Sequence, residues 1–71
     1  MNRDILDFAT YCIGSVANAL HLTRQDVYGR LKTSGILDDY IMKHYDVLHT
    51  FSRASIVDEI TEYMREKGVL E

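Results

Sequence analysis

The chain predicts an all-α fold, a small compact bundle of four helices. Apolar residues recur at helical spacing over four stretches, the connections between them are short, and strand-like alternation is only hinted at. With 71 residues there is one domain, spanning residues 1–71, with room for a single core. A domain this small hides only about 60% of its unfolded surface and gains from a staple or a partner.

The first helix is expected over residues 3–21. On a wheel of about 100° per residue, Ile5, Leu6, Phe8, Ala9, Cys12, Ile13, Val16, Ala17, Ala19 and Leu20 share one half. Asp4, Asp7, Thr10, Tyr11, Gly14, Ser15 and Asn18 share the other. So wide an apolar arc implies more than one packing neighbour. Asn2 or Asp4 can cap its start, and early acids suit the helix dipole.

Thr23 reads as the N-cap of a second helix over 24–33, with Asp26 placed like the acid of a capping box. Val27, Tyr28 and Leu31 are expected to face inward, and Gly35 to take the left-handed position after the last turn. The third helix is expected over 38–48, with Asp38-Asp39 as cap and first-turn acids. Leu37, Tyr40, Ile41, His44, Tyr45 and Leu48 make its apolar stripe, and a break near Asp46 is compatible with the pattern. Ser52 or Ser55 caps a fourth helix over 53–67. Ile56, Val57, Ile60, Tyr63 and Met64 form its buried stripe, Asp58, Thr61, Glu62, Arg65 and Glu66 face water, and Gly68 ends it.

Composition narrows the function classes. Eight basic residues stand against eleven acidic ones, a formal net charge of −3. That disfavours generic nucleic-acid binding, which needs clustered Lys and Arg. A lone cysteine, Cys12, cannot make an internal disulfide and fits a reducing compartment. No signal-peptide pattern and no apolar run long enough for a membrane span is present, so a cytoplasmic protein without membrane association is expected.

Nothing in the chain assembles a catalytic set, and an enzyme, a cofactor or a metal site is not expected. Cys12 falls within the apolar arc and reads as core. His44 and His49 are five apart, whereas paired ligands on one helical face recur four apart. Tyrosines on a polar face are a different matter, because they bury much area with few rotors. Tyr11 has no evident internal reason to be aromatic, and Met42 and Val47 fall off the third stripe. These mark a contact surface for another protein, or for a second copy in a homodimer.

A helix-turn-helix is the alternative. Residues 17–32 place Ala17, Leu20, Leu22, Thr23, Val27 and Leu31 as such a motif does, and would lock two helices at a steep angle. Arg24, Gln25, Tyr28, Arg30 and Lys32 would then meet DNA. Against this, His21 occupies a turn position that glycine often holds, and the remainder of the chain is acidic.

Gly35-Ile36-Leu37-Asp38-Asp39-Tyr40-Ile41, the string Tyr45-Asp46-Val47-Leu48-His49-Thr50 and Ile56-Val57-Asp58-Glu59-Ile60 together resemble a family of small, uncharacterised bacterial helical proteins. The string is the specific part, and Ser52-Arg53-Ala54 departs from the glycine expected soon after it. Members are often encoded beside ADP-ribosyltransferase-like toxins, so the resemblance implies an antitoxin-like or accessory partner of a toxin-like enzyme. It implies no catalytic residue. Leu48 and Tyr45 are expected to anchor the string, while Asp46, His49 and Thr50 bond local backbone at the turn. Tyr45, Asp46, His49 and Thr50 are therefore the recognition candidates, with Tyr11 and Met42 beside them.

Overall fold

Helix α1 (Arg3–Leu20) is the element on which the others assemble in the computed structural model, which describes residues 2–70. Its Asn2 cap accepts the Asp4 amide at 2.7 Å. Cys12 and Val16 on its inner face are wholly buried. Helix α2 (Arg24–Ser34), a π-helical segment (Leu37–Met42) and helix α4 (Arg53–Glu66) all pack against α1. A single turn, α3 (Tyr45–Leu48), rests on the π segment. The wide apolar arc thus has the several neighbours it called for. Val27, Leu31, Ile36, Ile41, Ile56, Ile60 and Met64 complete the core.

The ends of the helices are set by local chemistry. Thr23 and Ser52 accept the amides three residues on, which satisfies otherwise orphaned donors. Asp26 does not complete a capping box; its carboxylate holds Arg30 at 2.8 Å instead. Helix α1 ends in a Schellman turn, with the Leu22 amide reaching the Ala17 carbonyl at 3.0 Å. That turn puts His21 at φ 59°, the left-handed conformation, at about 1–2 kcal/mol for a residue with a side chain. Leu22 packs on the core in return. Gly68 ends α4 in the same way at φ 75°, with Val69 bonded to the Met64 carbonyl. Gly35, at φ 86°, turns the chain from α2 into the π segment as expected.

The third helix differs from expectation. It begins at Leu37 without a side-chain cap from Asp38, and it is two pieces rather than one. Wider i→i+5 turns run through Leu37–Met42, the chain turns at Lys43-His44, and a short α-turn follows. The wider turns shift the helical phase, so His44 leaves the stripe and is exposed, while Met42 comes inward to pack on the core. Tyr28 is corrected as well: it is 47% exposed, since Val27 and Leu31 alone fill the inner face of α2. Leu6 and Ala19 also lie outside the core. Thr61 and Ser15 go the other way and are buried. Thr61 stays satisfied by donating to the Val57 carbonyl at 2.8 Å.

No single helix among the described residues is long and apolar enough to cross a membrane.

Burial pushes the Cys12 thiol from its ordinary 9.0 up to about 12. The unfolded chain therefore releases this proton at lower pH than the folded one. The stability tied to Cys12 is complete below pH 9.0 and is lost as pH climbs towards about 12, falling by about 1.4 kcal/mol per pH unit. Urea unfolding between about pH 9 and 11 is expected to show a steeper loss for the native chain than for Cys12→Ala, by about that slope. Parallel declines in the two proteins would contradict this.

Candidate functional site

The Tyr45–Thr50 string resolves into anchors, turn-holders and an exposed Asp46-Val47 edge, so Asp46 does not hold the turn as expected. Leu48 is buried and Tyr45 half-buried. His49 Nδ1 donates to the Tyr45 carbonyl at 2.8 Å and Thr50 Oγ1 donates to the Val47 carbonyl at 2.7 Å. The His49 bond places the proton on Nδ1, so a neutral ring keeps Nε2 as an acceptor. Asp46 and Val47 point away from the core and are exposed.

Tyr45 also joins the string to α1. Its ring stacks on His49 at 4.6 Å between centroids and meets Phe8 edge-on at 5.5 Å. Phe8 lies 6.2 Å from Tyr11, whose face carries the Arg53 guanidinium at 5.3 Å. His49, Tyr45, Phe8, Tyr11 and Arg53 thus form one continuous row across three helices. The structure brings Tyr11, Tyr45 and His49 together, which their separation in sequence concealed. Met42 is not part of this row. It lines a separate hollow of ≈ 290 Å³ with Leu6, Ile13, Tyr28 and Leu37.

Beyond Tyr11 the row opens into a hollow of ≈ 440 Å³ on α1, walled by Tyr11, Gly14, Ser15, Asn18, Arg24 and Arg53. The Arg24 guanidinium lies over Gly14, where an added methyl would stand 3.4 Å from it. Gly14 weakens a helix interior by roughly 0.5–1 kcal/mol relative to alanine, and the close approach of Arg24 gives that position a use. Arg24 and Arg53 are each the first residue of their helices. A cation there opposes the macrodipole, by about 0.3–1 kcal/mol each at an exposed site. Among the described residues neither arginine meets a carboxylate.

Phe8, Gly14, Ser15, Asn18 and Arg53 were not singled out from the sequence. Two signals were available: a glycine within an otherwise regular helix, and cations at helix starts.

Two of the residues expected for DNA, Arg30 and Lys32, have other engagements. Arg30 bonds Asp26 and donates to the Val69 carbonyl at 2.6 Å, tying α2 to the end of the chain. Lys32 pairs with Asp38 at 3.0 Å, and that carboxylate raises its pKa above the ordinary value. Gln25 and Tyr28 are exposed. The chain bends by 116° between α1 and α2, within the range of helix-turn-helix pairs. Among the described residues no three His, Cys, Asp or Glu side chains gather as a metal set.

Fold and surface together define a small all-α domain with an aromatic and arginine face. The chain belongs to the family described as "Protein of unknown function (DUF3791)", whose model matches residues 7–67. No curated protein and no solved structure matches it significantly.

The string makes a direct prediction. Leu48→Ala is expected to destabilise by about 2–5 kcal/mol, and Val47→Ala, one residue earlier, by no more than about 0.5 kcal/mol. Denaturant unfolding reads both. Equal losses would mean that α3 is packed on both faces.

Proposed function

We propose that this domain acts by binding another protein inside the cell, and that it is not an enzyme. The observation that carries this reading is the row His49–Tyr45–Phe8–Tyr11–Arg53. Tyr11 is 38% exposed and Phe51, after the string, 37%. Tyrosine and arginine are the residue types in which interface energy concentrates. In a domain with so small a core, partner binding also adds stability by mass action. The contact residues are Tyr11, Tyr45, His49 and Arg53, with Asp46 and Thr50 at the edge. Met42, half-buried in its separate hollow, is left out.

The partner proposed first is the toxin-like enzyme implied by the resemblance, with this chain as an antitoxin-like or accessory subunit. A homodimer through the same face is the competing arrangement. Co-expression with the product of the adjacent gene, followed by gel filtration and calorimetry, tests both. A mixed complex is expected, and Tyr11→Ala or His49→Ala should weaken it by about tenfold or more, the effect of losing one hot-spot contact. A chain that stays monomeric and ignores the neighbouring product would sink this reading.

The 116° bend between α1 and α2 favours a second reading, a helix-turn-helix regulator using Arg24, Gln25 and Tyr28. Arg30 and Lys32 contribute less to it, being held by Asp26 and Asp38. Salt-dependent retardation of the chain's own upstream duplex would support it.

A further inference from the structure

Arg24 and Arg53 converge on one hollow from two different helices, at the positive ends of both. Folding alone gives little reason for this, because each helix dipole repels the cation placed on it. Ser15 supplies an independent observation. It is only 7% exposed and lines the same hollow. Its Oγ is a buried side-chain atom without a hydrogen-bond partner among the described residues. A buried hydroxyl left unpaired is disfavoured, whereas a bound acceptor would satisfy it.

We infer that this hollow receives a carboxylate from an acidic segment of a protein partner, held by the Arg24 and Arg53 guanidiniums with the Ser15 hydroxyl as a third donor. The inference rests on the interaction reading and gives it a chemistry. Guanidinium forks match planar carboxylates bidentately. Arg53 is already steadied over the Tyr11 ring at 5.3 Å, so less freedom is lost on binding. A nucleic-acid backbone would need a longer run of cations. Further along α2, however, Arg30 and Lys32 are engaged with Asp26 and Asp38. The formal charge of −3 makes this site a local exception on an acidic molecule, which would draw one acidic side chain to one place.

The test is a heteronuclear NMR titration of the full chain with the capped peptide acetyl-Gly-Glu-Glu-Gly-amide, its Gln-Gln counterpart, and inorganic phosphate. The acidic peptide is expected to shift the amides of Gly14, Ser15 and Asn18 and the Nε–H signals of Arg24 and Arg53, saturably and in the millimolar range. Its Gln counterpart should not. Arg24→Gln and Arg53→Gln should each weaken binding by about tenfold, as loss of one charge-assisted hydrogen bond does. Ser15→Ala should weaken binding while its Tm stays level or rises, a split that a purely structural role would not produce. If Arg24→Gln fails to fold, Arg24→Lys keeps the charge, loses the fork, and should still weaken binding. Absent shifts, equal shifts with the Gln peptide, or stronger shifts with phosphate would overturn the assignment. A protein partner whose affinity survives both Gln variants would overturn it too, yet leave the interaction reading standing. Peptide binding at the hollow with no protein partner for the chain would overturn the interaction reading and, with it, the source assigned to the carboxylate, leaving only the carboxylate-binding chemistry of the hollow.

Discussion

Everything in this domain depends on one helix being apolar over nearly half its circumference. Helix α1 buries Cys12 and Val16 completely and Ala9 and Ala17 almost so, and α2, the π segment and α4 each pack on that surface. With 71 residues and one thiol, there is neither a second core nor a disulfide to share the work. Burial of apolar area at roughly 25 cal/mol per Å² must therefore be gathered where several elements meet, and α1 is that place. The same geometry leaves the opposite side of α1 uncovered. Tyr11, Gly14 and Asn18 stand there, and the two arginines reach over it.

What the sequence revealed follows from this. Helical periodicity is strongest where one face is buried against many partners, so α1 and its apolar arc were plain in the spacing. The cap at Thr23 and the left-handed Gly35 and Gly68 were equally plain, because each is a local requirement of a helix end. The same requirement narrows the fourth cap to Ser52 or Ser55, and it falls on Ser52. The π segment was not. Its apolar residues fit a 3.6-residue repeat well enough, and spacing over a dozen residues does not register one widened turn. His44 and Met42 were misplaced for that reason alone. Tyr28 was misplaced for another: Val27 and Leu31 satisfy the inner face of α2, and a tyrosine beside them can turn outward with little loss.

The candidate surface was legible only in fragments. Tyr11 stands out as an aromatic residue without an evident internal duty, and Tyr45 and His49 as members of a string expected to anchor and hold a turn. Their union through Phe8 depends on how α3 docks beside α1, which no local pattern encodes. The ring contacts also qualify the Tyr45–Thr50 string, in which His49 and Thr50 hold the turn by bonding backbone carbonyls. The string thus builds one end of the surface and also locks its shape. Arg53 stands first in the expected fourth helix with nothing local to mark it, and its meaning emerges only beside Arg24.

Helix α1 has a face that makes the fold and a face that is spare. Equilibrium urea unfolding of Val16→Ala and Tyr11→Ser tests that division most directly. Val16→Ala should lose about 1–3 kcal/mol, as truncating a wholly buried side chain does. Tyr11→Ser should lose less than about 1 kcal/mol, the scale of an exposed ring contact and cation–π pair. A loss for Tyr11→Ser as large as that for Val16→Ala would contradict the account, because the aromatic row would then belong to the fold and not to a partner.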